Sequence, residues 1–177
     1  LVGPFAQASL EAHRRLFEVN YFSAVAMAHA FLGDIRRSGG THLAISSVAG
    51  FSPLYLRTAY AASKHALEGF FHSLRSEEEL HGVRVAVAAP SFIATNPGNS
   101  QTDRLGLGRP GAAVDGIDAM SAADAAAAIL KGLDRGQNFI PVGRIARLAW
   151  LLQRLSPALM KRAMTRQMRD RPQDKEI

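Results

Sequence analysis

Apolar and polar positions change period several times along this chain. After a loop at Leu1 to Ala8, apolar residues recur at helical spacing from Ser9 to about Arg37. Ser9 is placed to cap this helix, Glu11 sits in its first turn, and Ser38-Gly39-Gly40 ends it. An element this long calls for a kink, and Asn20, a poor interior helix residue whose amide can bond to backbone, is where one is expected. His42 to Val48 is a continuous apolar run, the pattern of a central strand in a parallel sheet. Phe51 to Thr58 then reads as a loop, Ala59 to about Leu80 as a helix closed by Gly82, and Val83 to Ala89 as a second strand closed by Pro90. Glu77-Glu78-Glu79 reads as a solvated helix end. Asn96 to Asp118, rich in glycine, proline and polar residues, is either a flap over a site or a plain disordered loop. Ser121 caps another helix that ends at Gly136, and Asn138 to Val142 is a short last strand. From Arg144 to Arg169 an amphipathic pattern is interrupted by Pro157.

Strand, helix, strand in this order makes a parallel pair whose carboxyl ends lie on one side of the sheet, where open α/β sheets bind ligands. Ser47 and residues 90–95 share that rim. Tyr60 and Lys64 are one helical turn apart and share a face. An ammonium beside a phenol favours the phenolate, so such a pair can exchange a proton with a substrate oxygen while the Ser47 hydroxyl holds that oxygen. This is equipment for interconverting a carbonyl and an alcohol, provided a cofactor carries the hydride. Taken alone, the pair is equally a buried tyrosine beside a solvated lysine.

The surrounding residues decide between these. Ser46-Ser47-Val48-Ala49-Gly50, followed by Tyr60-Ala61-Ala62-Ser63-Lys64-His65-Ala66-Leu67-Glu68-Gly69, closely resembles the core of the short-chain dehydrogenase/reductase family. Asn20, in Phe17-Glu18-Val19-Asn20-Tyr21-Phe22, and the element Pro90-Ser91-Phe92-Ile93-Ala94-Thr95 match two further motifs of that family. The resemblance runs from about Leu1 to Gly143. It implies that Asn20, Ser47, Tyr60 and Lys64 are catalytic and that Tyr60, Lys64, Pro90, Ser91, Ile93 and Thr95 line a cofactor, NAD or NADP. It implies a small-molecule alcohol or carbonyl substrate, in likeness to members acting on apolar steroids and retinoids, and a homo-oligomer. Ser91 departs from the pattern, which has glycine there. If the backbone needs a positive φ at that position, Ser91 is strained and nicotinamide binding shifts.

No Gly-x-x-x-Gly-x-Gly occurs anywhere in the sequence. A dinucleotide fold uses such a turn over the pyrophosphate. The chain is therefore read as the C-terminal part of a Rossmann-like doubly wound α/β sheet with its first βαβ units missing. The fragment alone is expected to be inactive. The alternative is a non-catalytic module for dimerisation or membrane association that binds no nucleotide.

Charge separates the chain into 1–143, the body, and 144–177, a basic tail. The body carries 12 Lys+Arg and 12 Asp+Glu, the tail 9 and 3, so the whole net charge of +6 lies in the tail and gives no nucleic-acid signature to the fold. Leucines and arginines interleave in the tail, which either lies on an anionic membrane or packs on the body or on a second subunit. There are no cysteines, which excludes thiolate metal sites and fits a reducing, cytoplasmic setting, with the tail as the one route to a membrane surface.

Overall fold

Seven residues, Arg84–Pro90, form the strand on which the rest is assembled. In the computed structural model, which describes residues 3–94, 119–160 and 162, this strand is the middle one of three. In chain order the elements are α1 (Leu10–Phe17), a π-helical turn (Glu18–Phe22), α2 (Ser23–Ser38), β1 (Thr41–Ile45), α3 (Thr58–Glu78), β2 (Arg84–Pro90), α4 (Ala122–Asp134), β3 (Phe139–Val142) and α5 (Arg144–Leu155). The sheet order is β1-β2-β3 and both pairs are parallel, with Ala44 opposite Val87 and Ala88 opposite Ile140.

The alternation of β2 side chains builds two cores. Val85 and Val87 face Ala28, Leu67 and Phe71 of α2 and α3, while Ala88 faces Ala125 of α4 together with Ile140 and Val142. Burying a valine side chain contributes roughly 1.5–3 kcal/mol, and Val85 and Val87 are both essentially inaccessible. Helices on both faces of a parallel sheet make a doubly wound α/β architecture. Gly132 lets α4 approach closely, since a Cβ there would lie 2.7 Å from the Ile140 side chain.

The end signals read from the sequence are present. Ser9 Oγ accepts from the Ala12 N–H at 3.1 Å, Ser121 Oγ from the Asp124 N–H at 3.1 Å, and Gly39 and Gly82 close their helices at φ 61° and 67°. The kink expected at Asn20 is the π turn centred on it, closed by the Ser23 N–H bonding the Glu18 carbonyl.

Four expectations are corrected. Strand β1 stops at Ile45 rather than Val48, because Ser47 Oγ accepts from the Ala49 N–H and turns Val48–Gly50 into a 3₁₀ turn. Among the described residues β1 is an edge strand with alternating burial, and β2 is the central one. Glu78 does not belong to a solvated run. It is 1% exposed and takes both oxygens to Arg36, at 2.8 and 2.6 Å, while Glu77 and Glu79 are exposed. Ser91 is not strained, since Leu56 (φ 56°) is the one non-glycine residue with positive φ among the described residues.

Helix α5 packs one face on the body. Ala146, Ala149 and Leu152 meet Val48 and Phe51, and Trp150 stacks on Phe139 at 5.9 Å with Arg154 over its ring at 4.7 Å. Its other side leaves Leu148, Leu151 and Leu155 exposed. The helix ends before Pro157. Lys161 and residues 163–169 of the expected amphipathic segment, and the stretch Asn96 to Asp118 read as a flap or loop, lie outside the described residues. Among the described residues no helix is long and apolar enough to cross a membrane.

Candidate active site

The carboxyl ends of the parallel strands form one rim, tied together by backbone hydrogen bonds. The Ser46 N–H donates to the Ala88 carbonyl at 2.7 Å, and the Ser91 N–H donates to the Val142 carbonyl at 3.1 Å. Ser47 lies two residues beyond the end of β1 and caps the turn Val48–Gly50, against which α3 packs. Helix α3 presents Tyr60 and Lys64 one turn apart, both half-buried. Lys64 Nζ reaches the strand end, donating to the Ile45 carbonyl at 2.9 Å. Burial pushes the Lys64 ammonium below its ordinary pKa, with Glu68 opposing. A lysine whose charge is disfavoured by burial beside a tyrosine one turn away is the kind of perturbed group that marks a candidate site.

Asn20 approaches from the π turn. Its Nδ2 donates to Ser63 Oγ at 2.9 Å, and Ser63 in turn donates to the Tyr60 carbonyl at 2.9 Å. The π turn matters here because its extra residue aims the amide at α3. The strand-end turn, α3 and the π turn thus bring Ser47, Tyr60, Lys64 and Asn20 to one end of the sheet.

The second strand end holds the other expected residues. Pro90 closes β2 opposite Val142, and Ser91 continues from it so near Gly143 that a Cβ on that glycine would lie 2.8 Å from Ser91 Oγ. Ile93 forms a parallel bridge with Met120. Thr95 lies outside the described residues. Among the described residues no group of His, Asp or Glu has the spacing to hold a metal.

Sequence reasoning passed over Ser63, and with it a second pair behind the rim, Ser46 and Glu68. Ser46 Oγ donates to Glu68 Oε1 at 2.6 Å, with both residues buried. The one available signal was spacing, because Glu68 continues the face of Tyr60 and Lys64 by one more turn.

A groove of about 380 Å³ opens along the edge of β1 that has no neighbouring strand among the described residues, lined by Ile45 and Lys64 and by Asn20, Met27 and Phe31 from the π turn and α2. Met27 and Phe31 are exposed large apolar side chains in it.

The family model described as short chain dehydrogenase matches residues 1–105, more than half of the chain. The chain is 45% identical over 95 residues to dehydrogenase/reductase SDR family member 7B of Bos taurus, covering 53% of this chain and 29% of that protein. It is 33% identical over 172 residues to the member 7B protein of Danio rerio, covering 94% and 55%. The chain thus spans about half, or less, of these curated relatives. Among solved structures, a short chain dehydrogenase from Burkholderia cenocepacia in complex with NADP superposes with a TM-score of 0.77 at 22% identity, covering 92% of this chain and 63% of that one. An acetoin dehydrogenase from Enterobacter cloacae is 31% identical, with a TM-score of 0.51 over 54% of this chain and 38% of its own. With its strand-end serine, Tyr60–Lys64 helix and doubly wound parallel sheet, this chain belongs to the short-chain dehydrogenase family.

Proposed function

We propose that this chain is the C-terminal part of an NAD(P)-dependent oxidoreductase that interconverts an alcohol and its carbonyl. The observation that carries the reading is the Lys64 side chain, half-buried and bonded to the Ile45 carbonyl, one turn from Tyr60 and beside the strand end that continues into Ser47. In this reading the Ser47 hydroxyl holds the substrate oxygen by a hydrogen bond. Tyr60 gives that oxygen a proton on reduction or takes one on oxidation. Lys64 supports the transfer electrostatically, and Asn20 keeps its place through Ser63.

The residues present fit the nicotinamide end of a dinucleotide. The Tyr60 hydroxyl and Lys64 ammonium are donors suited to ribose oxygens, and Pro90, Ser91 and Ile93 line the neighbouring strand end; Thr95 is assigned to the same end from the motif alone. When bound, the nicotinamide supplies the hydride chemistry that no side chain can. NADP is named for the Burkholderia cenocepacia structure, which supports NAD or NADP here without choosing between them.

The residues for the pyrophosphate end are placed in a longer natural chain. Two facts support this. The curated relatives extend well beyond the matched part, and among the described residues β1 is an edge strand beside a groove, where a further parallel strand could pair. With that strand added, β1 becomes central, as its apolar run suggests. The 177-residue chain by itself is expected to be inactive.

We further place an apolar substrate in the site, a homo-oligomer as the working state, and the protein in the cytoplasm with α5 able to touch a membrane. The exposed leucines of α5 and the absence of any acidic residue from 144 to 160 support that contact. The division into a catalytic body, 1–143, and a tail, 144–177, follows the charge. The test is hydride transfer by the whole natural chain. NADPH or NADH is consumed with phenanthrenequinone as an apolar dicarbonyl probe, and Tyr60→Phe is inactive while still binding the cofactor. Equal turnover in that variant overturns the assignment.

A further inference from the structure

We infer that Glu68 is a positioning residue of the reaction centre. Gripped by the Ser46 hydroxyl, it clamps the turn that carries Ser47 to the helix that carries Tyr60 and Lys64. The inference rests on the oxidoreductase reading for its catalytic consequence, but the clamp itself is a matter of geometry.

Ser46 is tied on both sides. Its N–H donates to the Ala88 carbonyl at 2.7 Å, and its Oγ donates to Glu68 Oε1 at 2.6 Å. The first bond fixes it to β2 and the second to α3. Ser47 is the next residue, so its position is set by a neighbour with no freedom left. Ser46 is 3% exposed and Glu68 5% exposed, which removes water as a substitute partner for either.

Gly50 completes the arrangement. A Cβ there would overlap the Glu68 carboxyl and the Ser46 hydroxyl, and its φ is not positive. The backbone of the turn therefore lies directly on the carboxyl. Glycine is required by close approach and not by backbone conformation.

A buried carboxyl is a costly way to fill space, and a well-packed apolar side chain of like volume is often no less stable. What an apolar side chain lacks is an acceptor at one point. Lys64 also bridges the same two elements through the Ile45 carbonyl, but in the proposed reaction its ammonium serves Tyr60 and the cofactor. Glu68 holds the elements together and leaves Lys64 that task. The groups around it agree with this. Burial pushes the Glu68 carboxyl up, while the Ser46 hydrogen bond, His65 and Lys64 pull it down.

The experiment uses the whole natural chain with Ser46→Ala, Glu68→Leu and Glu68→Gln, and two readouts. The first is hydrogen–deuterium exchange of the peptide covering residues 46–52. Ser46→Ala and Glu68→Leu should raise its exchange, and Glu68→Gln, whose amide oxygen still accepts from Ser46, should keep it near wild type. The second is turnover of phenanthrenequinone with NADPH or NADH. Losing the clamp should lower kcat by about tenfold to a hundredfold, as expected when reacting groups shift by about 1 Å. Cofactor affinity should hold, and Glu68→Gln should restore most of what Glu68→Leu loses.

Unchanged exchange in Ser46→Ala overturns the clamp, and so does raised exchange with unchanged kcat. A Glu68→Gln variant as impaired as Glu68→Leu also overturns it, because charge and not the hydrogen bond would then be the active property. Should Glu68→Leu fail to fold, Ser46→Ala decides, since it removes one hydroxyl. If wild type and Tyr60→Phe do not differ in turnover, the oxidoreductase reading fails by itself, and exchange still judges the clamp.

Discussion

Asn20 Nδ2 donates to Ser63 Oγ at 2.9 Å across 43 positions of sequence, and Ser63 is completely buried. Removing Asn20 leaves the buried Ser63 hydroxyl with the Tyr60 carbonyl alone, and removing Ser63 leaves the half-buried Asn20 amide facing the groove. Asn20→Ala and Ser63→Ala should each cost about 0.5–1.5 kcal/mol, the net value of an ordinary hydrogen bond. The double variant should cost less than the sum, with a coupling of about 0.5–3 kcal/mol. Urea denaturation of the whole natural chain reads all three. Strict additivity would mean that the bond is absent in solution.

Tyr60→Phe removes one oxygen and leaves the packing of α3 intact. Its kcat should fall by about 10²–10⁴-fold, the usual value of positioned acid–base catalysis. Cofactor affinity, followed by fluorescence titration, should stay close to wild type. A parallel loss of affinity would place the hydroxyl in binding instead of proton transfer.

Glu78 gives the acid limb of stability a definite sign. The hydrogen bonds from Arg36 hold its carboxyl below the ordinary value of 4.5, so the stability it contributes is present above 4.5 and is lost as pH falls through the folded-state value. Glu68 runs the other way. Burial raises its carboxyl above 4.5, so its contribution is full below 4.5 and is lost as pH rises through the folded-state value. In denaturant midpoints measured against pH, Glu78→Gln should be less stable than wild type near neutrality and converge with it in acid. Glu68→Gln should instead lift the neutral end relative to the acid end. Curves that stay parallel for either variant would contradict the assigned shift.

The exposed side of α5 makes its own prediction. Leu148, Leu151 and Leu155 recur at helical spacing with Arg144, Arg147 and Arg154 nearby, a combination that suits an anionic lipid surface. The protein should co-sediment with anionic vesicles more than with neutral ones. Added salt should weaken this as the screening length falls from about 10 Å at about 0.1 M. Changing the three leucines to serine should abolish it without lowering thermal stability, since the inner face on Val48 and Phe51 is untouched. Deleting 144–177 should lower stability, because it bares the body's apolar patch at Val48, Phe51 and Phe139. Equal binding to both vesicle types would remove the charge from the account, and no binding to either would remove the membrane.

Much of the architecture was legible because it depends on local chemistry. Ser9 and Ser121 announce helix starts, Gly39 and Gly82 announce ends, and a long helix with one asparagine announces its own interruption. Tyr60 and Lys64 were legible because four residues on a helix is a fixed geometry. What escaped reading depends on partners distant in sequence. Nothing in Glu77-Glu78-Glu79 says that Arg36 will stand opposite the middle acid, 42 positions away. Nor does Lys64-His65-Ala66-Leu67-Glu68 say that a serine from a strand end, 22 positions earlier, will bond the last residue. The end of β1 was misplaced for a related reason. Val48 is apolar and suits a strand, but the Ser47 side chain competes for the backbone and turns it. At Ser91 strain depended on a positive φ, which residue type alone does not reveal, and the backbone there has none.

A regular helix advances about 100° with each residue. The π turn at Glu18–Phe22 inserts extra chain into that count, so α1 and α2 are out of phase with each other. Most substitutions in the segment leave the phase alone. Removal of one residue would not, because α2 would then rotate by about 100°. Ala28 would swing away from Leu67 and Phe71, and Asn20 would lose its aim at Ser63. In this stretch the number of residues is more tightly constrained than their identity, apart from Asn20 itself, and a single-codon deletion there should do more damage than any one replacement beside it.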